Sequence, residues 1–284
     1  MILTANLLGG LGNQLFQVAA AYAYAKKYGF QLIFKESWPC DQNREPIWSY
    51  YFLGKDLPWK LVPAKQFQSF KWFSIKEPSF AFAPIVAPLD RNALPFTMLE
   101  GYYQSSQYFK DYTEDIRSIL QIRPHYIEKA HASLDHAGVK EPDGWIAAHV
   151  RRGDYLDPMQ APIHSVTSKD YFKRARARIQ KDIGLRTVCW ITDDMEWVYR
   201  NLYEQGDVVL NGDTMTDFAA LSLFRYMILS NSTFSWWAAW LNPLGYDTPS
   251  RRICCPSKWF GSSGPPSYES IYEADWIRID TISG

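Results

Sequence analysis

The second half of the chain repeats one pattern. Five short apolar runs occur there: residues 145–150, "RTVCWIT", "DVVLN", "YMILSN" and "RRICCP". Between them lie segments whose apolar residues recur at helical spacing: residues 169–181, a stretch from Met195, residues 217–224 and "FSWWAAWLN". Strand and helix alternating at this pace require parallel strands joined by helical crossovers, which is an α/β sheet. The chain opens in the same way. Residues 2–8 read as a strand, "GGLGNQ" as a glycine loop, residues 15–28 as an alanine-rich helix stopped by Gly29, and "FQLIFK" as a second strand. Residues 38–100, rich in Pro and aromatics, read as irregular. Short helices are expected within 115–121, limited by Pro124, and over 126–136, stopping at Gly138. The "EPDG" turn at 141–144 then divides the chain into 1–143 and 144–284. Two α/β halves with a cleft between them is the economical architecture.

Lys plus Arg and Asp plus Glu are equal at 30 each, so no overall charge draws the chain to nucleic acid or to an anionic membrane. An anion site must be local. The 12 Trp, 18 Tyr and 16 Phe are mostly core material, in an excess that also suits stacking against sugars or bases. Cys40, Cys189, Cys254 and Cys255 have no C-x-x-C spacing, which points to thiols in a reducing compartment. No apolar run reaches the roughly 18 residues of a membrane span. The first lysine is Lys26, so no basic leader is expected, and a cytoplasmic protein is.

"WIAAHVRRGDYLD" carries the strongest chemical signal. An apolar strand runs into His149, Arg151, Arg152, Asp154 and Asp157, at the strand end where open α/β sheets bind ligands. Two guanidiniums there suit a multiply charged anion such as a diphosphate. Adjacent residues of an extended chain point to opposite sides, so one arginine faces the ligand. The other pairs with Asp154 or Asp157. Solvated ion pairs of little energetic value are the plainer account of the same cluster.

Three further stretches have double readings. Gly10 and Gly12, between strand and helix, begin a dinucleotide fingerprint, but Leu15 occupies the third glycine position. Glu36 lies near the distance of a ribose-binding acid, which keeps an NAD-dependent oxidoreductase as one alternative. A sugar or anion contact by the loop amides, Asn13 and Gln14 is another reading, and a turn that simply needs glycine a third. In "WITDDMEWV", Asp193 with Glu196 resembles a capping box, and the pair is not the D-x-D spacing that holds a metal. In "ILSNSTFSWWAAWLNP", Asn231, Ser232, Thr233 and Ser235 stand between strand and helix, where hydroxyls and N–H groups bind phosphate or cap the helix. Trp236, Trp237 and Trp240 at helical spacing read as core. A non-catalytic sugar-binding protein is the second alternative, on the aromatic excess.

Taken together, "GGLGNQLFQ", "GYYQSSQYF", "HVRRGDY", "YF" near 171, "ITDDMEWV" and "LSNSTFSWWAAWL" resemble the α-1,2-fucosyltransferases of bacterial surface-polysaccharide pathways, in the family's order from residue 9 to 241. The resemblance implies a GT-B fold, two Rossmann-like domains facing across a cleft, with 1–143 on the acceptor side and 144–284 binding the donor. It implies inverting, metal-independent transfer from GDP-β-L-fucose to O2 of a terminal galactose. The glycan acceptor would include lipid-linked forms, met at the inner face of the inner membrane without stable insertion.

Its site residues carry over one by one. Arg151 meets the β-phosphate and His149 lies near the nucleotide. Asp193 or Asp194 reads the guanine, whose N1–H and N2–H donors suit a carboxylate. Asn231, Ser232 and Thr233 hold phosphate or ribose, with Gly10, Gly12, Asn13 and Gln14 also on the donor. Asp154, then Asp157, is the candidate base for the galactose hydroxyl.

Overall fold

The computed structural model describes residues 1–36, 47–49, 57–86, 95–243 and 251–281. Packing divides the chain into Met1–Arg123 with Ser267–Glu273, and Pro124–Pro266 with Ala274–Gly284. The division thus falls at Arg123–Pro124 and not at the "EPDG" turn. The reason is helix α4 (Pro124–His136), whose buried Ala130 and Leu134 lie one turn apart and which packs on α7 (Thr214–Ser222) of the second unit.

The first unit holds a five-stranded parallel sheet in the order β3-β2-β1-β5-β4. Its strands are β1 (Ile2–Ala5), β2 (Gln31–Lys35), β3 (Lys60–Val62), β4 (Phe73–Lys76) and β5 (Phe96–Glu100). Helices α1 (Leu11–Tyr28), α2 (Ala64–Ser69) and α3 (Thr113–Ile119) accompany it. The segment expected to be irregular therefore contributes three strands and a helix. β3 has three residues and β4 exposes both of its ends, so neither has the apolar alternation that marks a strand in sequence. α1 begins at Leu11, which places Gly12, Asn13 and Gln14 in its first turn, and it ends on Gly29 in the left-handed conformation at φ 71°.

The second unit is a six-stranded parallel sheet in the order β11-β10-β9-β6-β7-β8. β6 (Ile146–Val150) and β7 (Val188–Thr192) are buried at every position, as strands must be when helices flank both faces. β8 (Val208–Leu210), β9 (Tyr226–Ile228), β10 (Arg252–Pro256) and β11 (Ile277–Ile279) complete it. β11, which the sequence reading did not anticipate, follows "RRICCP" and is interrupted by exposed Arg278. Helices α5 (Lys169–Ile183), α6 (Met195–Asn201) and α8 (Thr233–Trp240) join α4 and α7. On α8 the three tryptophans are fully buried, with the rings of Trp236 and Trp240 stacked at 6.2 Å.

A buried ion pair ties the N-terminal edge of this sheet. Arg176 of α5 grips Asp207 through both guanidinium nitrogens at 2.8 and 3.1 Å. The same carboxylate accepts from the Val188 and Glu204 amides and from the Trp190 indole. Five donors on one carboxylate satisfy it in full, the condition under which a buried charge is tolerated. Cys189, Cys254 and Cys255 are buried free thiols, while Cys40 lies outside the described residues. Among the described residues no helix is long and apolar enough to cross a membrane.

Candidate functional site

Strand order locates the site. In the second sheet the chain proceeds from β6 outward to β7 and β8, then returns to lay β9 on the other side of β6. In open α/β sheets the carboxyl ends of the strands at such a reversal, here β6 and β9, are where ligands bind. The segments there are Arg151–Asp157 and Ser230–Thr233, two of the stretches singled out by sequence. His149 and Ser230 join across this point, the imidazole Nδ1 lying 2.9 Å from the hydroxyl. Burial, reinforced by the Arg151 charge, lowers the His149 pKa to about 3, so the ring is neutral at any working pH.

The two arginines have different surroundings. Arg151 donates to Oδ2 of Asp193 at 2.7 Å and to Oδ1 of Asp154 at 2.6 Å, and its guanidinium lies over the Tyr155 ring. Arg152 donates from Nε to Asp194 at 3.0 Å and stacks 4.1 Å above the Trp197 ring. Its side chain is 15% exposed, against 32% for Arg151. The partners differ from those expected: Asp154 pairs with Arg151, and Arg152 with Asp194, because both guanidiniums lean toward the β7–α6 turn. Asp157 accepts from the Met159 amide at 2.7 Å in a turn of its own.

The capping role expected of Asp193 falls to its neighbour. Asp194, not Asp193, is the N-cap of α6, accepting from the Trp197 amide at 3.0 Å. Asp193 also accepts from the Arg152 amide at 2.8 Å. It can approach this closely because residue 153 is glycine: a Cβ there would lie 2.8 Å from Oδ2 of Asp193. Glu196 pairs with Arg200 one turn on and closes no capping box.

Ser232 caps α8, accepting from the Phe234 amide, and Thr233 begins the helix. Asn231 is 2% exposed and donates to the carbonyls of Ser165 and Trp259, while its Oδ1 is buried with no hydrogen-bond partner among the described residues. Its carbonyl accepts from Tyr155, whose ring is stacked on His164 at 4.6 Å.

Asp217, which in sequence reads only as the start of a helix, joins the site in the structure. Asp213 caps α7 instead, accepting from the Met215 and Thr216 amides. Asp217 is left half-buried in the first turn, on the same strand-end edge of the sheet, where the Gly212 amide donates to both its oxygens at 3.0 and 3.1 Å. Burial raises its pKa to about 6, the Gly212 N–H opposing and the Asp213 charge adding to the shift. No local pattern marks it, since burial depends on the folded surroundings.

In the first unit the switch point lies between β1 and β5. Gln14 is fully buried, donating to the Gly9 carbonyl and accepting from the Ile47 amide. Asn13 accepts from Gln104, and Gln17 spans from the Leu8 amide to the Gly101 carbonyl. These amides tie the "GGLGNQ" loop to "GYYQSSQY", a task the sequence reading had not assigned them. Gly10 is the α1 N-cap and Gly12 is buried in the first turn. The dinucleotide reading gains nothing here, since Leu15 is buried.

Among the described residues no group of three His, Cys, Asp or Glu is placed to hold a metal ion. Residues 93–280 match the family described as Glycosyl transferase family 11. The chain is 24% identical over 305 residues to the O-antigen biosynthesis glycosyltransferase WbnK of Escherichia coli, covering 96% of this chain and 99% of that one. It is 26% identical to an alpha-1,2-colitosyltransferase of the same organism, covering 98% and 99%. To galactoside alpha-(1,2)-fucosyltransferase 1 of Bos taurus it is 27% identical, covering 96% and 74%. Among solved structures, POFUT1 in complex with GDP superimposes with a TM-score of 0.56 at 12% identity, covering 89% and 97%. At that identity the likeness is one of fold, the GT-B type of two Rossmann-like units.

Proposed function

The chain belongs to glycosyl transferase family 11, and from that membership we propose that it transfers L-fucose from GDP-β-L-fucose to O2 of a terminal galactose, with inversion at the anomeric carbon. The acceptor is a saccharide of a surface polysaccharide, met in lipid-linked form at the cytoplasmic face of the membrane. The relatives named for O-antigen synthesis and for galactoside fucosylation support this reading.

The observation that carries it is the Arg151 fork at the β6/β9 switch point. As the fucosyl C1–O bond breaks, negative charge grows on the β-phosphate. A planar guanidinium can hold two of its oxygens, and the N-terminus of α8 adds its partial positive charge. Both interactions strengthen in the transition state, as catalysis requires. The phosphate displaces a carboxylate to reach that fork. Asp154, once displaced, stands beside the donor as the base for the incoming hydroxyl, with Asp157 second. Inversion takes a single attack, so no covalent nucleophile is needed.

Asp193 and Asp194 each carry an arginine, which leaves little of either for guanine. Asp217 fits that task better: it is half-buried, holds one amide N–H, and would gain the two donors of the guanine edge. We assign the leaving diphosphate's charge to arginine and helix terminus without a metal.

Incubation with radiolabelled GDP-fucose, N-acetyllactosamine and an EDTA control tests the reading. The expected product is an α-1,2-fucoside formed at an unchanged rate in EDTA. Failure to label any galactoside overturns it, and loss of activity restored by Mg²⁺ or Mn²⁺ overturns the metal-free part. A second donor is favoured by the colitosyltransferase relative. Colitose is fucose without its 3-hydroxyl, so competition between the two GDP-sugars decides which is used.

A further inference from the structure

The stretch "GYYQSSQY" is left without a role by the donor chemistry, and its geometry is unusual. Tyr103 has φ 53°, the one positive-φ non-glycine residue among the described residues. That conformation is costly for a bulky side chain and persists only when its surroundings impose it. Here they do. Glu77, which follows β4, turns its carboxylate onto the loop and accepts from the Tyr102 amide at 2.7 Å and the Tyr103 amide at 3.0 Å. The Tyr103 ring is buried, its hydroxyl donating to the Ile75 carbonyl at 3.1 Å. Gly101 has no room for a side chain, because a Cβ would meet Glu77 at 2.4 Å. What this framework holds up is Tyr102, 40% exposed, beyond the carboxyl end of β5 and at the switch point of the first sheet.

We infer that Tyr102 is a stacking platform for a pyranose ring of the acceptor saccharide, with Glu77 as its positioning residue. Aromatic faces bind the C–H face of a sugar, and a fixed ring loses little entropy in doing so. The position agrees with the rule that ligands meet α/β sheets at their switch points. The inference rests on the transferase reading for the identity of the sugar.

The test uses Tyr102→Ala, Tyr102→Trp and Glu77→Gln, with N-acetyllactosamine as acceptor. Tyr102→Ala is expected to raise the acceptor KM on the order of 10-fold, leaving kcat, GDP affinity and the melting temperature near their starting values. Tyr102→Trp should restore the KM, a rescue that a merely structural tyrosine would not show. Glu77→Gln should raise KM as Tyr102→Ala does. An unchanged KM in Tyr102→Ala, or a loss that follows the melting temperature, overturns the platform. Saturation-transfer NMR with N-acetyllactosamine needs no turnover. If the wild-type chain binds the sugar but transfers nothing, and Tyr102→Ala abolishes binding, the transferase reading falls and the platform stands. If the wild-type chain shows no sugar signal, the platform falls.

Discussion

Nη2 of Arg151 lies 2.6 Å from Oδ1 of Asp154, three residues further along the chain. The same guanidinium is held by Asp193, but Asp193 also receives a backbone amide and is the less exposed of the two, at 27% against 47%. A phosphate bound by Arg151, as proposed, would therefore displace Asp154. Asp154→Asn should tighten GDP binding several-fold by removing that competitor, and slow turnover by removing the base. Calorimetry with GDP and steady-state kinetics read the two effects separately. Weaker GDP binding would show that Asp154 helps to hold the donor.

Arg151→Lys keeps the charge and loses the fork. Turnover should fall on the order of 10²-fold or more, as for the loss of a contact to developing charge, with a smaller loss of GDP affinity. Arg152→Lys should instead lower the melting temperature, because it surrenders the stacking on Trp197 along with the Nε bond to Asp194. The opposite pattern would reverse the assignment of the two arginines.

Gly153→Ala tests the positioning of Arg151 without touching its chemistry. The added methyl carbon would lie 2.8 Å from Oδ2 of Asp193, which must retreat and release one side of the guanidinium. Turnover should fall by about 10-fold or more with a small change in stability. A fully active Gly153→Ala enzyme would show that Asp193 does not set the geometry of Arg151.

Asp217 links pH to stability. Its folded pKa of about 6 lies above the ordinary 3.8, so the folded state binds the proton more tightly than the unfolded chain does. Its ionisation costs stability as pH rises from about 4 to 6, and the full cost is present above that window. Asp217→Asn should remove the cost and raise the melting temperature at pH 7, while weakening GDP relative to ADP if the carboxylate reads guanine. Melts at pH 4 and 7 with both nucleotides check each half. Unchanged nucleotide preference would leave Asp217 as a half-buried helix residue with no part in donor recognition.

The alternation of strand and helix was legible because β6 and β7 are buried on both faces and read as unbroken apolar runs. β4 and β11 were not, since exposed residues in such short strands leave no periodicity to find. The site's location could be read, because charges at the end of a buried strand have few places to go. Its pairings could not. Whether Asp193 or Asp194 caps α6 depends on one residue of phase, and the partner of Arg151 on the path of the turn that Gly153 begins. Gln14 reads in sequence as a ligand contact and Gln17 as a plain helix residue, whereas in the structure both tie segments distant in sequence, Gln14 accepting from the Ile47 amide and Gln17 donating to the Gly101 carbonyl.

The Arg176–Asp207 knot sits at the opposite edge of the sheet from the candidate site. It fastens the starts of β7 and β8 to α5, where no ligand group is expected. Firmness and chemistry are thus segregated to opposite ends of the same strands. Such a layout lets the loops beyond Val150, Thr192 and Ile228 be exchanged between relatives while the underlying sheet stays fixed. Donor preference in this chain should therefore be transplantable: grafts of those loops from a colitosyltransferase ought to fold, whereas a graft crossing Arg176 or Asp207 from one chain alone ought not.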